Sequence, residues 1–381
     1  MEIATITFTP YRLPFRKPLP TAQGIWQHRE GFVICCQDIT GKISYGEAAP
    51  LPSFGTETLS QCAEILNVAC HNLQGQKLPC LNHWWEAFDD YKYQQMLDNL
   101  LFEFEKYPAA RHGLETAILG LHPINHEQIN NVVKMNGLIG AVHPSSAIDQ
   151  TMMLLNSGYN CLKIKFNSRN DREFAVDRER FQTVMAGIRN YFEQINQSNK
   201  SSSKSLISLD QKILLRLDAN QSWQLEQSLH YLQILADDLQ NELDDLNQVN
   251  SYLEQPLIEI EYMEQPVANL QDLKQLTQAN ILPIAADEAC FSLSQISEII
   301  DQKAANILVL KPMVLGGILP TLTAINQAIS NGVDVVLTSS LDGAIARFYA
   351  TSLASYAINS GYIKRHCGLA TGNLLAEDLS T

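Results

Sequence analysis

The chain of 381 residues is long enough for one large domain and a smaller one, and its content of 45% hydrophobic and 18% charged residues is typical of a globular protein. It contains no apolar run of the roughly 18 residues that a membrane span needs, which argues against a membrane partner. The formal net charge of −14, with no stripe of Lys and Arg between aromatic residues, argues against a nucleic acid partner.

The first residues and the cysteines bear on the cellular compartment. The start, MEIATITFTPYRLPF, alternates like a strand and lacks the basic and then apolar profile of a signal peptide. The eight cysteines include no C-x-x-C pair and no zinc-ligand spacing, which is typical of small buried hydrophobic residues in a reducing compartment. We therefore expect a cytoplasmic protein.

The first hundred or so residues predict an α+β unit. EIATITFTPYRL and GFVICCQDITGKISYGEAAP indicate an antiparallel sheet with turns at Gly41 and Gly46. TETLSQCAEILNVACHNL indicates a helix. The segment between Pro14 and Gly31 is rich in Pro and Gly, and we expect it to be mobile.

From about residue 109 onward, short apolar runs alternate with amphipathic helical patterns. This alternation predicts a parallel sheet and favours a closed α/β barrel, although alternation alone also fits a doubly wound sheet. A polar, Ser-rich segment at 196–211 indicates a surface insertion, and an acidic segment at 237–256 indicates an extension of the preceding helix with a loop. The predicted strands are NVVKMNGLIG, NCLKIKF, KILLRLDAN, IEIEYMEQP, ILPIAADEA, AANILVLKP and VDVVLTSS.

The tripeptide Glu-Gln-Pro occurs twice, at 254–256 and at 264–266. Consecutive parallel strands need a crossover of about a dozen residues, and only residues 257–263 separate the copies, so both cannot end such strands. Apolar residues alternate in IEIEY ahead of the second copy, which puts Glu264 on their face, and a helical pattern follows. We predict that Glu264 is the functional carboxylate and that Glu254 is a surface residue.

Five consecutive predicted strands each end in a charged residue: Lys165, Asp218, Glu264, Asp287 and Lys311. Barrel enzymes keep their chemistry at the carboxyl ends of the strands, and a charge is costly to bury unless it is paired or bound to a metal. Three carboxylates at one edge repel one another unless a cation lies between them. Since an all-oxygen site suits Mg²⁺, we expect the three carboxylates to bind this ion.

Two lysines make chemical sense beside such a metal. Lys163 and Lys165 alternate along one strand, so both side chains point to one side. A neighbouring ammonium and a dry site favour a neutral Lys165 that is available as a base. Abstraction of a proton next to a carboxylate is prohibitive in water, and a divalent cation would stabilise the resulting enediolate. The predicted partner is therefore a small-molecule carboxylate.

Five motifs in this order, LKIKF, LRLDAN, IEYMEQP, AADEA and LVLKP, resemble those of the enolase superfamily, in its muconate-lactonizing-like branch with the K-x-K motif. The resemblance covers essentially the whole chain. It implies an α/β fold: a (β/α)7β TIM-like barrel of residues 109–364 and an N-terminal α+β capping domain of residues 1–108, completed by about 365–381. MNGLIG, LTSSLDG and GLATGNLLAEDL are also similar to stretches of the o-succinylbenzoate synthase family within that branch.

The resemblance implies a Mg²⁺-dependent lyase that dehydrates 2-succinyl-6-hydroxy-2,4-cyclohexadiene-1-carboxylate to o-succinylbenzoate through an enediolate, in menaquinone or phylloquinone synthesis. Lys165 would be the base, and Lys311 would stabilise the enediolate from the opposite face. The residues implied to hold the metal are Asp218, Glu264 and Asp287. Those implied to bind substrate carboxylates are Lys163, Ser339 and Ser340. Asn220 and Glu288 would orient the ligands, unless they are ordinary loop residues.

Two residues depart from the family pattern. Ala289 stands where Ser is common after Asp-Glu, and Asp342 stands where Glu is common after the two serines. Related reactions therefore stay open, because two facing lysines also suit an N-succinylamino acid racemase. A dipeptide epimerase would carry Asp-x-Asp at a late strand, which LTSSLDGAIA lacks. A non-catalytic binding protein is disfavoured because all five charged strand-end residues are present. The sequence indicates no oligomeric state.

Overall fold

The computed structural model describes residues 1–21, 24–123, 133–201, 212–249 and 258–379. These residues form two compact units. The first unit comprises Met1–Lys134, Phe291–Ile296 and Val309–Thr381, and the second comprises Met135–Cys290 and Ser297–Leu308. The domain boundary expected after residue 108 stays a prediction. None of the helices in the described ranges is both long enough and apolar enough to cross a membrane.

Three antiparallel strands form the N-terminal sheet. β1 (Ile3–Thr21) and β2 (Gly24–Asp38) make one long hairpin, and β3 (Ile43–Ala48) pairs with β2. Gly41 lies in the turn before β3 with a φ of +87°, a conformation that favours glycine. The antiparallel sheet and its turn at Gly41 are confirmed.

Three α-helices of the first unit follow this sheet: α1 (Leu59–Asn72), α2 (Tyr91–Leu101) and α3 (Pro108–Leu119). The predicted helix is α1, which begins with a capping box between Thr58 and Gln61. In α3, every residue after Pro108 is buried, and the helix packs against β2 and β3. A central helix of this kind is stabilised by packing on all its faces.

One expectation for the N-terminal region is wrong, and a second is not tested. Gly46 lies inside β3 and is not a turn; a Cβ there would lie 1.9 Å from the carbonyl oxygen of Gly113, so glycine allows α3 to approach the strand. The segment between Pro14 and Gly31, which was expected to be mobile, is paired strand in its described part, and its mobility stays a prediction. Its register is irregular between Pro14 and Leu19.

Seven strands form the second sheet, in the order β10–β9–β8–β7–β6–β5–β4, and β4 to β9 pair in parallel. Each coincides with one of the seven apolar runs that predicted strands, so the mixed α/β fold class is confirmed. The strands are β4 (Gly137–Ile139), β5 (Cys161–Lys165), β6 (Ile213–Asp218), β7 (Ile258–Glu264), β8 (Ile284–Ala286), β9 (Ile307–Leu310) and β10 (Asp334–Leu337).

Each of these strands is followed along the chain by a helix or, after β9, by two. The helices are α4 (Pro144–Asn156), α5 (Asp171–Ser201), α6 (Leu225–Val249), α7 (Leu270–Ala279), α8 (Leu293–Gln302), α9 (Pro312–Leu315), α10 (Ile318–Ser330) and α11 (Ala344–Asn359). The acidic segment continues α6 to Val249, as predicted, and the start of the Ser-rich segment continues α5 to Ser201. The remainder of both segments, with Glu254, lies outside the described residues.

The last part of the chain returns to the strands of the first unit. Gly368 forms a parallel bridge with Thr338, just after β10, and its N–H donates to the Leu337 carbonyl at 2.8 Å. The Cys367 N–H donates to the carbonyl of Lys134 at 2.8 Å. Residues 367–368 therefore take the place of a short further strand beside β10. Beyond them, Leu375 forms an antiparallel bridge with Phe15 of β1.

Candidate active site

The carboxyl ends of β5, β6 and β7 bring charged side chains into contact in the second unit. Lys165 is in register with Asp218, and Asp218 is in register with Glu264. The ammonium of Lys163 donates to Oδ2 of Asp218 at 2.8 Å and to Oε1 of Glu264 at 2.7 Å. The ammonium of Lys165 donates to the same Asp218 oxygen at 2.5 Å. The structure thus joins four of the predicted site residues in one buried ionic cluster.

Asn220 connects this cluster to the loop after β8. Its Oδ1 accepts a hydrogen bond from Lys165 Nζ at 2.9 Å, and its N–H donates to Oδ1 of Asp218 at 3.0 Å. Its Nδ2 donates to Oε1 of Glu288 at 3.1 Å. Asp287, next to Glu288, is 6% exposed, and its charge acts on both Lys163 and Glu264. Both residues expected to orient the ligands therefore lie beside the charged cluster.

Charge is unevenly compensated within the cluster. Burial alone would raise the pKa of Asp218, but Lys163 and Lys165 outweigh it and hold that pKa well below its usual range. Burial and the charge of Asp218 together hold the pKa of Glu264 well above its usual range, because Lys163 offsets them only in part. Burial would lower the pKa of Lys163, but the surrounding carboxylates hold it well above its ordinary value. The Glu264 carboxylate is therefore short of positive charge.

The shortage of positive charge at Glu264 raises the question of whether a metal ion fits this site. Oε2 of Glu264 is buried and has no hydrogen-bond partner among the described residues. In the same residues, no three His, Cys, Asp or Glu side chains converge closely enough to bind a metal ion as they stand, and the Lys163 ammonium bridges Asp218 and Glu264. The carboxylate donors, together with the orphaned Glu264 oxygen, match the all-oxygen set that Mg²⁺ prefers. The residues present therefore fit the ion.

The other predicted site residues belong to the first unit. Lys311 directly follows β9, is 6% exposed, and its ammonium lies 4.9 Å from the centroid of the Phe54 ring, a cation–π contact. Ser339 shares a 2.5 Å hydrogen bond with Thr371 through their hydroxyl groups.

The loop after β10 is held by side chains of the same unit. The Ser340 hydroxyl donates to Oδ1 of Asp342 at 2.8 Å, so the residue that departs from the family pattern fixes this serine. Arg29 of β2 donates to the carbonyl of Leu341 at 3.2 Å. Both predicted serines therefore lie in a loop whose backbone and hydroxyl groups have fixed partners.

Sequence reasoning missed Gln265, which follows Glu264. Its side chain is buried, and its Oε1 accepts hydrogen bonds from the N–H groups of Asp287 at 2.8 Å and Ala289 at 3.2 Å. Its Nε2 donates to the carbonyl of Val267 at 2.9 Å. Gln265 thus fixes the loop that carries Asp287. The only sequence signal was a long polar side chain directly after a buried strand.

Comparison with known proteins agrees with this architecture. Residues 147–379 match the family described as Enolase C-terminal domain-like. Over 340 residues the chain is 25% identical to the o-succinylbenzoate synthase of Thermosynechococcus vestitus. This match covers 88% of this chain and 84% of that protein. Over 354 residues it is 24% identical to a hydrophobic dipeptide epimerase of a Flavobacteria bacterium. This match covers 89% of this chain and 83% of that protein.

A solved structure with the same fold is the dipeptide epimerase of Enterococcus faecalis V583, in complex with Mg and the dipeptide L-Leu-L-Tyr. The TM-score is 0.71 at 20% identity, and the match covers 100% of this chain and 94% of that one. The expected TIM-like barrel with an N-terminal α+β domain is thereby confirmed as the fold class. Since the family match spans more than half of the sequence, the chain belongs to the enolase superfamily, within the Enolase C-terminal domain-like family.

Proposed function

We propose that this chain dehydrates 2-succinyl-6-hydroxy-2,4-cyclohexadiene-1-carboxylate to o-succinylbenzoate, a cytoplasmic step of menaquinone or phylloquinone synthesis. The observation that carries the proposal is the contact of the Lys165 ammonium with Asp218 and Asn220 at the carboxyl end of β5, beside Glu264, whose charge is only partly compensated. A lysine at this place is suited to remove a proton next to a carboxylate. The similarity to the o-succinylbenzoate synthase of T. vestitus supports the choice of substrate.

In this proposal Lys165, in its neutral amine form, removes the proton from the ring carbon that bears the carboxylate. The electron pair moves into the carboxylate to give the enediolate. It then returns to form a new ring double bond as the neighbouring C–O bond breaks, and the hydroxide leaves as water with the proton that Lys165 returns. The ammonium of Lys311 stabilises the negative charge of the enediolate. Asp218, Glu264 and Asp287 would hold Mg²⁺, which when bound supplies positive charge beside the substrate carboxylate. We assign the substrate carboxylates to Lys163, Ser339 and Ser340.

The first experiment is an ultraviolet assay of the purified chain with the cyclohexadiene substrate, with Mg²⁺ and then with EDTA. We expect Mg²⁺-dependent loss of the diene absorbance, and a fall of at least roughly 10³-fold in kcat for Lys165→Ala because the base is removed. Lys212→Ala is the matched control, since Lys212 lies one residue before β6, at the opposite end from Asp218. The control should keep full activity.

A second candidate reaction is the racemisation of an N-succinylamino acid, which a pair of candidate lysines, Lys165 and Lys311, suits. Should the diene absorbance persist, the same preparations would be incubated with N-succinyl-L-amino acids in D₂O and followed by NMR. Loss of the α-proton signal, dependent on Lys165, would replace the dehydratase by a racemase. Dehydration of the diene by the wild type, lost in Lys165→Ala, would retain the first proposal.

A further inference from the structure

Two charged residues of α5, outside the cluster described above, lie in the buried face of that helix. Asp177 and Arg180 are 1% and 3% exposed. Asp177 occupies a position of the buried stripe of α5 that also contains Phe174, Phe181 and Val184. Burial of charge at such positions is costly unless every polar atom finds a partner. The partners therefore indicate what this pair does.

Asp177 holds the loop that follows β5. Its Oδ2 accepts hydrogen bonds from the N–H groups of Asn167 at 3.0 Å and Ser168 at 2.9 Å, two and three residues after Lys165. Its Oδ1 accepts a hydrogen bond from Nη1 of Arg180 at 2.5 Å. Ser168 is fully buried and also accepts a hydrogen bond from Nε1 of Trp223 at 3.1 Å. The loop is thereby fixed to the helix behind it.

Arg180 holds the backbone of Lys165 itself. Its Nη1 donates to the Lys165 carbonyl at 3.1 Å, and its Nε donates to the Val142 carbonyl at 2.5 Å. The register of β4 with β5 ends at Ile164, so β4 offers no paired residue to Lys165, and the guanidinium takes that place. On the other side, the N–H of Phe166 donates to the Asp218 carbonyl at 2.7 Å. Both polar atoms of the Lys165–Phe166 peptide group are thus held.

We propose that Asp177 and Arg180 are positioning residues that fix the backbone of Lys165, and through it the place of the ammonium beside Asp218. The inference rests on the proposed function, in which Lys165 is the base. Since Lys165 Nζ is held by Asp218 and Asn220, a shift of its backbone changes the length and direction of these contacts. A misplacement of about 1 Å at a reacting group costs roughly 10²-fold in rate.

The kinetic test uses three variants, Asp177→Asn, Arg180→Lys and Arg180→Met. We expect kcat to fall about 10- to 100-fold in Asp177→Asn and Arg180→Met while KM changes less than about threefold, because substrate contacts are retained. Arg180→Lys should recover part of kcat, since an ammonium keeps the charge and some of the hydrogen bonds. The matched control is Arg178→Met, which removes a two-bond ion pair of the same helix with Asp238 and should leave kcat unchanged. Equal kcat in all variants would overturn the inference.

Hydrogen–deuterium exchange provides a second readout that needs no substrate. In Asp177→Asn and Arg180→Met, the peptide covering residues 164–170 should exchange about tenfold faster, while the peptide covering α7 keeps the wild-type rate. Unchanged protection of residues 164–170 in both variants would overturn the inference whether or not the wild type turns over the diene. If residues 164–170 lose protection in the variants but the wild type does not dehydrate the diene, the role of Asp177 and Arg180 in fixing this backbone is supported. The proposed function is then overturned.

Discussion

Four residues that follow strands of the parallel sheet adopt backbone conformations that side chains other than glycine usually avoid: Asn220, Gln221, Gln265 and Leu341, with φ between +38° and +62°. Each such conformation costs on the order of 1 kcal/mol and persists only where the surroundings impose it. Around Gln265 those surroundings are visible, since its side chain bonds three backbone groups. Of the six non-glycine residues with positive φ in the described ranges, four therefore lie just after strands of the parallel sheet, and the other two, Asn280 and Lys303, follow helices.

The two copies of Glu-Gln-Pro can be separated by experiment. Glu264→Gln should abolish Mg²⁺-dependent activity and weaken Mg²⁺ binding about 100-fold or more, because a neutral amide replaces a charged ligand oxygen. Glu254→Gln is the control in the other copy and should change neither quantity. The measurements are the Mg²⁺ dependence of the ultraviolet assay and calorimetric titration with Mg²⁺. If Glu254→Gln lost Mg²⁺ binding while Glu264→Gln kept it, the functional carboxylate would be Glu254 and not Glu264.

For single residues, the sequence predicts the charged groups of the candidate site better than the residues that fix these groups in place. Lys165, Asp218 and Glu264 were predicted because a charged residue directly after an apolar strand is visible in one dimension. Gln265 and Arg180 were not predicted, since their partners are backbone carbonyl and N–H groups of other segments. Such partners become known only when the strands are paired and the helices are packed.

Three helices of the first unit are capped at their amino ends by a buried glutamate from another part of the sequence. The residues before α3, α10 and α11 make no side-chain cap, and a buried glutamate from elsewhere accepts the free N–H groups. Glu57 accepts from Ala109 and Ala110 of α3. Glu115 accepts from Ile318 and Leu319 of α10, and Glu47 accepts from Gly343 and Ala346 at the start of α11. A carboxylate at this end also interacts favourably with the helix dipole.

The cap of α11 gives a prediction for stability. Glu47 is fully buried and also accepts a hydrogen bond from the Tyr11 hydroxyl at 2.7 Å. Glu47→Ala should lower the free energy of unfolding by roughly 3–5 kcal/mol, because it leaves several buried donors without a partner. Urea denaturation followed by circular dichroism measures the change. Glu64→Ala, on the exposed face of α1, is the control and should stay within about 0.5 kcal/mol of the wild type.

The glutamate caps also show which features of whole helices and strands could not be predicted from the sequence. All seven strands of the parallel sheet were predicted, because strand–helix alternation is a local pattern. The glycine inside β3 was mistaken for a turn, since the reason for Gly46 is the approach of α3 and not the local chain. The glutamate caps were invisible for a similar reason: Glu47 and Gly343 are 296 residues apart in the sequence.

For the whole molecule, buried carboxyl groups give an unusual contribution to the pH dependence of stability. Burial raises the pKa of Glu115 to about 7, although the charge of Arg111 opposes the shift. Burial also raises the pKa of Glu47 and of Glu57. A pKa that is higher in the folded than in the unfolded state means that the folded state holds the proton more tightly. The resulting stability is fully present below the ordinary value of about 4.5 and is lost as the pH rises through the folded pKa.

We therefore expect Glu115→Gln to flatten part of the fall in unfolding free energy between pH 5 and pH 8. The difference in this fall between wild type and variant should be on the order of 3 kcal/mol at most, because a shift of one pKa unit corresponds to about 1.4 kcal/mol. Urea denaturation of both proteins at the two pH values measures it, with Glu64→Gln as the control. Parallel pH profiles of wild type and Glu115→Gln would contradict the prediction.

The distant glutamate caps also have a consequence for the newly made chain. Glu115 meets the N–H of Ile318 across 203 residues, and Glu47 meets that of Gly343 across 296 residues. At a synthesis rate of roughly 5–20 residues per second, the second interval corresponds to roughly 15–60 s during which Glu47 has been translated and its helix has not. Throughout that interval α3 and β3 lack the part of their packing that α11 supplies. The first unit therefore completes its folding only after the ribosome has delivered α11, and until then chaperones and proteases meet an unfinished chain.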